Sequence, residues 1–194
     1  MKFLLAGISA KYIHTCLAVY SLAGYAREQY GIDCRTAEFT INQSEDLILS
    51  ELYRQAPDLL GFSCYIWNYA MIRRLVRSLK KVLPGTRILL GGPEVSFDAP
   101  RALLESGADF VLSGEGEEAF SRLCLALRDG KPLDGVPSLT WTDNGAPRTN
   151  PAAPPLDLGK LPFPYDDLGR YQNRILYYET QRGCPFNCQY CLSS

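Results

Sequence analysis

The sequence predicts an α/β protein whose first part is a doubly wound parallel sheet of five strands. Two observations indicate this class of fold. Short apolar runs alternate with segments of helical period over the first 130 residues. The apolar runs are hydrophobic at successive positions, as expected of strands that are covered by helices on both faces.

Sequence signals at the ends of the predicted elements support these assignments. Gly31 follows the first helix, Ser44 precedes the second, and Pro84 with Gly85 follows the third. Pro100 suits the first turn of the fourth helix. The strands are predicted at residues 2–6, 35–39, 59–63, 88–90 and 110–112. The helices are predicted at residues 15–30, 45–55, 69–83, 101–106 and 117–128.

The pattern changes after residue 130. A turn at Asn144-Gly145 predicts a small hairpin, because Asn-Gly readily adopts the left-handed conformations of a tight turn. Residues 150–168 contain five prolines and no regular period, which is typical of a stiff linker across a surface. Residues 175–180 are β-branched and aromatic and predict a further strand. The predicted divisions are 1–130, 131–174 for the hairpin and linker, and 175–194.

The composition indicates a soluble globular protein. The 194 residues are 46% hydrophobic and 21% charged, and the net charge is −1. Charges of both signs are interspersed, so no surface for nucleic acid or an anionic membrane is predicted. No apolar run approaches the roughly 18 residues of a membrane span, and the apolar start lacks a cleavage site. We expect a cytoplasmic protein without membrane or nucleic-acid partners.

The seven cysteines fall into two groups. Four are scattered among apolar residues and are predicted to be reduced core residues; these are Cys16, Cys34, Cys64 and Cys124. The other three, Cys184, Cys188 and Cys191, lie within eight positions. Clustered thiolates bind zinc or an iron-sulfur cluster. Structural zinc takes four ligands, whereas three cysteines on a four-iron cluster leave one iron open to substrate, so we favour the cluster over zinc or an unmetallated loop.

The segment CPFNCQYC, which begins at Cys184, resembles the C-x3-C-x2-C loop of radical S-adenosylmethionine (SAM) enzymes. This resemblance implies that Cys184, Cys188 and Cys191 bind a four-iron four-sulfur cluster and that SAM binds the open iron. It places Tyr190 near the adenine of SAM or beneath the cluster as a hydrophobic plug. It also implies a reductant such as flavodoxin or ferredoxin. In that family the loop follows the first strand of a partial TIM-like barrel, so the chain resembles an amino-terminal part that is inactive alone.

The loops after the predicted strands suggest a second cofactor, because ligands of doubly wound sheets bind beyond the carboxyl ends of the strands. A phosphate-accepting receiver would need an Asp where the third strand ends in GFS, and a dinucleotide site would need G-x-G-x-x-G where the first strand leads into AGISAK. The order GFS, GGP and GEGE instead resembles the Rossmann-like cobalamin-binding domain that precedes the barrel in many radical SAM enzymes. The cofactor-binding residues that this resemblance implies are Ser63, Gly91, Gly92, Gly114, Glu115 and Gly116.

Several nearby residues have two interpretations. His14 is the only histidine and lies in the loop where some cobalamin domains ligate cobalt, but the D-x-H-x-x-G pattern is absent, so we include it as a lining or capping residue of the cofactor site. Glu117 and Glu118 in the first turn of a helix are predicted to interact with the helix dipole rather than to act in catalysis. Tyr65 and Trp67 would cover a corrin face or pack in the core.

Three functions remain open from the sequence. The favoured one is a cobalamin-dependent radical SAM enzyme, with methyl transfer as a candidate reaction. In the second, the front domain is a recognition module without cobalamin in a radical SAM protein. In the third, the chain is only a binding module, because a radical needs a closed barrel that excludes water.

Overall fold

The computed structural model describes residues 1–184, 186, 188 and 189. One sheet of seven strands forms its centre, in the order β2-β1-β3-β4-β5-β6-β7. The strands are β1 (Phe3–Ser9), β2 (Cys34–Thr40), β3 (Leu59–Ser63), β4 (Arg87–Gly91), β5 (Phe110–Leu112), β6 (Leu139–Asp143) and β7 (Ala146–Thr149). The helices are α1 (Leu17–Tyr30), α2 (Glu45–Gln55), α3 (Tyr69–Val82), α4 (Pro93–Ser96), α5 (Ala99–Ser106) and α6 (Glu117–Asp129).

The five strands β1 to β5 are parallel, and helices cover both faces of the sheet. Leu60 and Ile88 pack in a core with α2, α3 and α5, whereas Leu5, Leu59 and Leu89 pack on the opposite face with α1 and α6. Burial of both faces explains why these strands are continuously apolar. The doubly wound α/β prediction is confirmed.

The predicted hairpin is part of the same sheet. Strand β6 pairs antiparallel with β5, with Phe110 opposite Trp141 and Leu112 opposite Leu139. Strand β7 then pairs antiparallel with β6 through a turn at Asn144 and Gly145, which both have positive φ. The sheet therefore has seven strands, where the sequence predicted five strands and a hairpin beside them. The division of the chain at residues 130 and 174 stays a prediction.

The strand predicted at residues 175–180 is reduced to one isolated parallel bridge between His14 and Ile175. The Ile175 amide donates to the carbonyl of Ile13, and the Thr15 amide donates to the carbonyl of Ile175. The short helix α4 was not predicted, although Pro93 at its first turn is a helix-start signal. No helix in the described part of the chain has the length and apolar character needed to cross a membrane.

The proline-rich linker is held on the domain by specific contacts. The Tyr165 hydroxyl lies 3.0 Å from the Thr15 hydroxyl and donates to the carbonyl of Tyr177 at 2.8 Å. Arg174 donates to Glu38 at 2.6 Å, and both side chains are largely buried. These contacts fix the chain that leads to the cysteines against the loop between β1 and α1.

Candidate functional site

A cavity of about 940 Å³ lies at the carboxyl ends of β3, β4 and β5. We call it the carboxyl-edge cavity. Residues of α1 line one side, and Glu179, Gln181, Arg182 and Gly183 from the segment before the cysteines line another. The strand order changes direction between β1 and β3, and doubly wound sheets bind ligands beside such a switch point.

The structure brings six of the predicted cofactor-binding residues together in the lining of this cavity. They are Ser63, Gly91, Gly92, Gly114, Glu115 and Gly116. They converge because the parallel strands β3, β4 and β5 all end at the same edge of the sheet. Their role in binding a cofactor stays a prediction.

Ser63 has an unused polar group in this lining. The residue is buried, and its Oγ has no hydrogen-bond partner within the described residues. A buried hydroxyl without a partner destabilises a protein by about 1–3 kcal/mol, so a ligand that hydrogen-bonds Ser63 would recover this free energy. The site therefore fits a ligand with polar groups as well as apolar surface.

Gly91 and Gly114 leave open space in the cavity wall. A Cβ built on Gly91 would meet only the carbonyl oxygen of Leu112, at 3.7 Å, and a Cβ on Gly114 would meet nothing within 4 Å. The absence of side chains at these two positions lets a ligand approach the backbone closely. The space in front of them is consistent with a bulky cofactor.

Gly92 differs from Gly91 because the fold itself requires a glycine there, and it differs from Gly114, whose φ is also positive at 71°, because a side chain would have no room. Its φ is 104°, and a Cβ would lie 2.6 Å from the carbonyl oxygen of Cys64. An L-residue at this position would have both a strained backbone and a clash with neighbouring main chain. Gly92 therefore maintains the close packing of the loops after β3 and β4.

We expect Gly92→Ala to lower the free energy of unfolding by at least about 2 kcal/mol, from the strain of a positive φ together with the clash at Cys64. Chemical denaturation measures this change. Gly91→Ala is the matched control and should be far less destabilising, because its Cβ has room. Equal stability of the two variants would contradict the assigned role of Gly92.

The acidic residues at the start of α6 have specific partners. The Glu117 carboxylate is buried and accepts hydrogen bonds from Ser21 at 2.7 Å and from Arg182 at 2.9 Å. Burial alone would raise the pKa of Glu117, but the bonds from Arg182 and Ser21 outweigh it and lower the pKa. Glu118 accepts bonds from the hydroxyls of Tyr25 and Tyr30. The predicted interaction with the helix dipole is therefore only part of what these acids do.

His14 lies outside the lining of the carboxyl-edge cavity. Its Nδ1 is 2.6 Å from the Tyr177 hydroxyl, and the two rings stack with centroids 5.9 Å apart. Its assignment to the cofactor site stays a prediction. Tyr65 lines the cavity and stacks on Trp67 at 4.4 Å, and the Trp67 indole donates to the carbonyl of Ile8.

The cysteine loop follows the cavity wall directly in the chain. Gly183 lines the cavity, Cys184 is exposed, and Cys188 is half-buried. Tyr190 and Cys191 lie outside the described residues. The predicted cluster ligands thus stay predictions, but the chain that leads to them forms part of the cavity.

The scattered cysteines are poor alternatives as metal ligands. Cys16, Cys64 and Cys124 are buried, and Cys34 is half-buried. Burial raises the pKa of Cys64 and raises that of Cys34 to about 12. Burial disfavours the thiolate that metal binding needs, and none of these cysteines belongs to a group of three potential metal ligands within the described residues.

Sequence reasoning did not identify Arg182, which lines the cavity and pairs with Glu117. Its position two residues before Cys184 was the available signal, but an arginine next to a cysteine loop does not by itself indicate a partner. The acid that it contacts is 65 residues earlier in the chain.

The fold is a doubly wound α/β domain with a cavity at the carboxyl edge of its sheet. Residues 4–124 match the B12 binding domain family, and the chain belongs to this family. The matched region includes α1 and the carboxyl ends of β3, β4 and β5, which line the cavity.

Relatives with longer chains extend the comparison. The chain is 28% identical over 190 residues to an uncharacterized methyltransferase of Pyrococcus horikoshii, covering 92% of this chain and 40% of the relative. It is 31% identical over 149 residues to the cobalamin-dependent radical SAM methyltransferase TokK of Streptomyces tokunonensis, covering 70% of this chain and 22% of TokK. The chain therefore spans less than half of the length of these two relatives.

A solved structure has the same fold over almost the whole chain. The cobalamin-dependent S-adenosylmethionine radical enzyme OxsB, with aqua-cobalamin and S-adenosylmethionine bound, superposes with a TM-score of 0.80. The match covers 98% of this chain and 28% of OxsB, at 18% sequence identity. At this identity, the likeness is evidence for the fold alone.

Proposed function

We propose that this chain binds cobalamin in the carboxyl-edge cavity and that the whole protein is a cobalamin-dependent radical SAM enzyme that transfers methyl groups. The observation that supports this most directly is the cavity itself. It lies within a B12 binding domain, and its wall includes the chain immediately before three clustered cysteines.

The described residues fit a bound cobalamin. Ser63 offers a buried hydroxyl that needs a partner, and Gly91 and Gly114 leave room beside the backbone. The amino end of α6 at Gly116 also faces the cavity, where backbone amides can donate to an anionic group such as a phosphate. These residues would hold and orient the cofactor through the backbone and one hydroxyl.

Cys184, Cys188 and Cys191 would bind the four-iron four-sulfur cluster, and Tyr190 would lie beside SAM or beneath the cluster. When bound, the cluster would supply the electron that cleaves SAM, and cobalamin would supply a transferable methyl group. A flavodoxin or ferredoxin would reduce the cluster. The role of the described residues is to hold the cysteine-bearing chain against the cavity and to exclude water from it.

Titration of the protein with hydroxocobalamin tests the first step of this proposal. We expect saturable binding with a change in the visible spectrum, because the Ser63 hydroxyl has no partner among the described residues and Gly91 and Gly114 leave open backbone. The His14→Ala variant should give the same spectrum, since His14 contacts Tyr177 rather than the cavity. Absence of saturable binding would instead support a recognition module without cobalamin, and a spectrum that depends on His14 would contradict our assignment of the cobalt environment.

A further inference from the structure

A buried ion pair joins the B12 binding domain to the chain before the cysteines. Arg182 Nη1 donates to Glu117 Oε2 at 2.9 Å, and Nη2 donates to Glu117 Oε1 at 2.5 Å. This is a bidentate arrangement, in which the planar guanidinium matches both oxygens of the carboxylate. The two residues lie 65 positions apart in the sequence.

The pair is largely shielded from solvent, and neighbouring side chains make further hydrogen bonds to both of its members. The side chain of Glu117 is 3% exposed and that of Arg182 is 16% exposed. Ser21 on α1 donates to Glu117, and Arg182 Nε also donates to Glu179 at 2.7 Å. An exposed pair would contribute little, but loss of Arg182 would leave the buried Glu117 carboxylate without a cationic partner. Loss of Glu117 would leave Arg182 paired with Glu179 and, at 3.9 Å, with Glu115, both outside α6.

Both members of the pair line the carboxyl-edge cavity, and one of them lies next to the cysteine loop in the chain. Glu117 is the first residue of α6 and lines the carboxyl-edge cavity. Arg182 lines the same cavity and is separated from Cys184 only by Gly183. The pair therefore joins the protein wall of the cavity to the start of the cysteine loop.

We propose that Glu117 and Arg182 are positioning residues that hold the start of the cysteine loop on the cofactor cavity, so that a ligand in the cavity and the geometry of the loop influence each other. This inference rests on the proposed function for the identity of the ligand, which is cobalamin. Because such coupling is reciprocal, a ligand that binds best when Arg182 is paired with Glu117 also stabilises that pair.

Limited trypsin digestion of the full chain tests the ion pair without cofactor. Trypsin cleaves after Arg182 only when this segment leaves its buried pair. In the Glu117→Gln variant we expect cleavage after Arg182 to be about tenfold faster than in the unchanged protein, since the open population controls cleavage. Glu118→Gln is the matched control, because Glu118 is the next residue of α6 and bonds Tyr25 and Tyr30 instead of Arg182.

Cleavage after Arg77 in the interior of α3 (Tyr69–Val82) distinguishes local opening from general loss of stability. Global unfolding would accelerate cleavage at both sites, whereas release of the pair accelerates it after Arg182 alone. An equal acceleration at the two sites, or no acceleration after Arg182, would overturn the positioning role.

The same digestion in the presence of hydroxocobalamin tests the coupling between the cavity and the loop. It should slow cleavage after Arg182 in the unchanged protein and have a smaller effect in Glu117→Gln. If the spectrum shows no cobalamin binding, the proposed function fails while the digestion without cofactor still tests the ion pair. If cobalamin binds and protects both proteins equally, the coupling between the cavity and the loop is wrong.

Discussion

Alanine at Cys184, Cys188 or Cys191 is expected to remove most of the iron from anaerobically reconstituted protein, in which the unchanged chain holds about four iron atoms. These three positions contain the only cysteines that are close together in the sequence. The other thiols are unsuited to replace them, because Cys64 is buried in one core and Cys16 and Cys124 in the other. Iron and sulfide analysis with the visible absorption spectrum measures the loss.

Cys34→Ala is the matched control for these variants. Cys34 is half-buried on β2, and burial with the nearby charge of Asp33 raises its pKa to about 12. This variant should keep its iron. The cluster assignment would be wrong if iron content stayed unchanged in the three loop variants, or if Cys34→Ala lost as much iron as they do.

Gly91→Leu is expected to weaken hydroxocobalamin binding by about a hundredfold, which corresponds to about 2.7 kcal/mol of binding free energy. Gly91 ends β4 beside Ser63, and a Cβ there has an ordinary contact with Leu112 and no clash. The rest of a leucine side chain would occupy cavity volume that the cofactor needs. Titration followed by the visible spectrum measures the affinity.

The same substitution at Gly85 separates blocked binding from general damage. Gly85 is exposed in the turn before β4, and a Cβ there meets nothing within 4 Å. Gly85→Leu should bind hydroxocobalamin like the unchanged protein, and thermal unfolding should confirm that both variants fold. Unchanged affinity in Gly91→Leu, or equal loss in Gly85→Leu, would exclude the carboxyl-edge cavity as the binding site.

The parallel part of the sheet could be predicted because its signal is local. Strands buried on both faces are continuously apolar, as in Leu59–Ser63, and glycine or proline marks several helix ends. The convergence of Ser63, Gly91 and Gly114 then follows from the rule that parallel strands end at one edge. These parts of the site could therefore be predicted without knowing which distant residues contact each other.

Long-range contacts account for what the sequence could not predict. The hairpin was visible at Asn144-Gly145, but its pairing with β5 depends on residues about thirty positions apart, such as Phe110 and Trp141. Glu117 was interpreted from its position at a helix start, and its partner Arg182 lies far along the chain. Local sequence patterns do not show which distant residues contact each other, so they could predict neither the pairing of β6 with β5 nor the Glu117–Arg182 pair.

The hairpin also protects the sheet against association with other chains. Without it, the apolar strand Phe110–Leu112 would form an edge with free backbone donors and acceptors, which is a template for aggregation. The edge beyond it is instead β7, a strand of four residues. Pro147 lacks a backbone N–H, and Arg148 adds a charge that a pairing strand would have to desolvate. The antiparallel hairpin thus ends the sheet in a form that discourages intermolecular strand pairing at this edge.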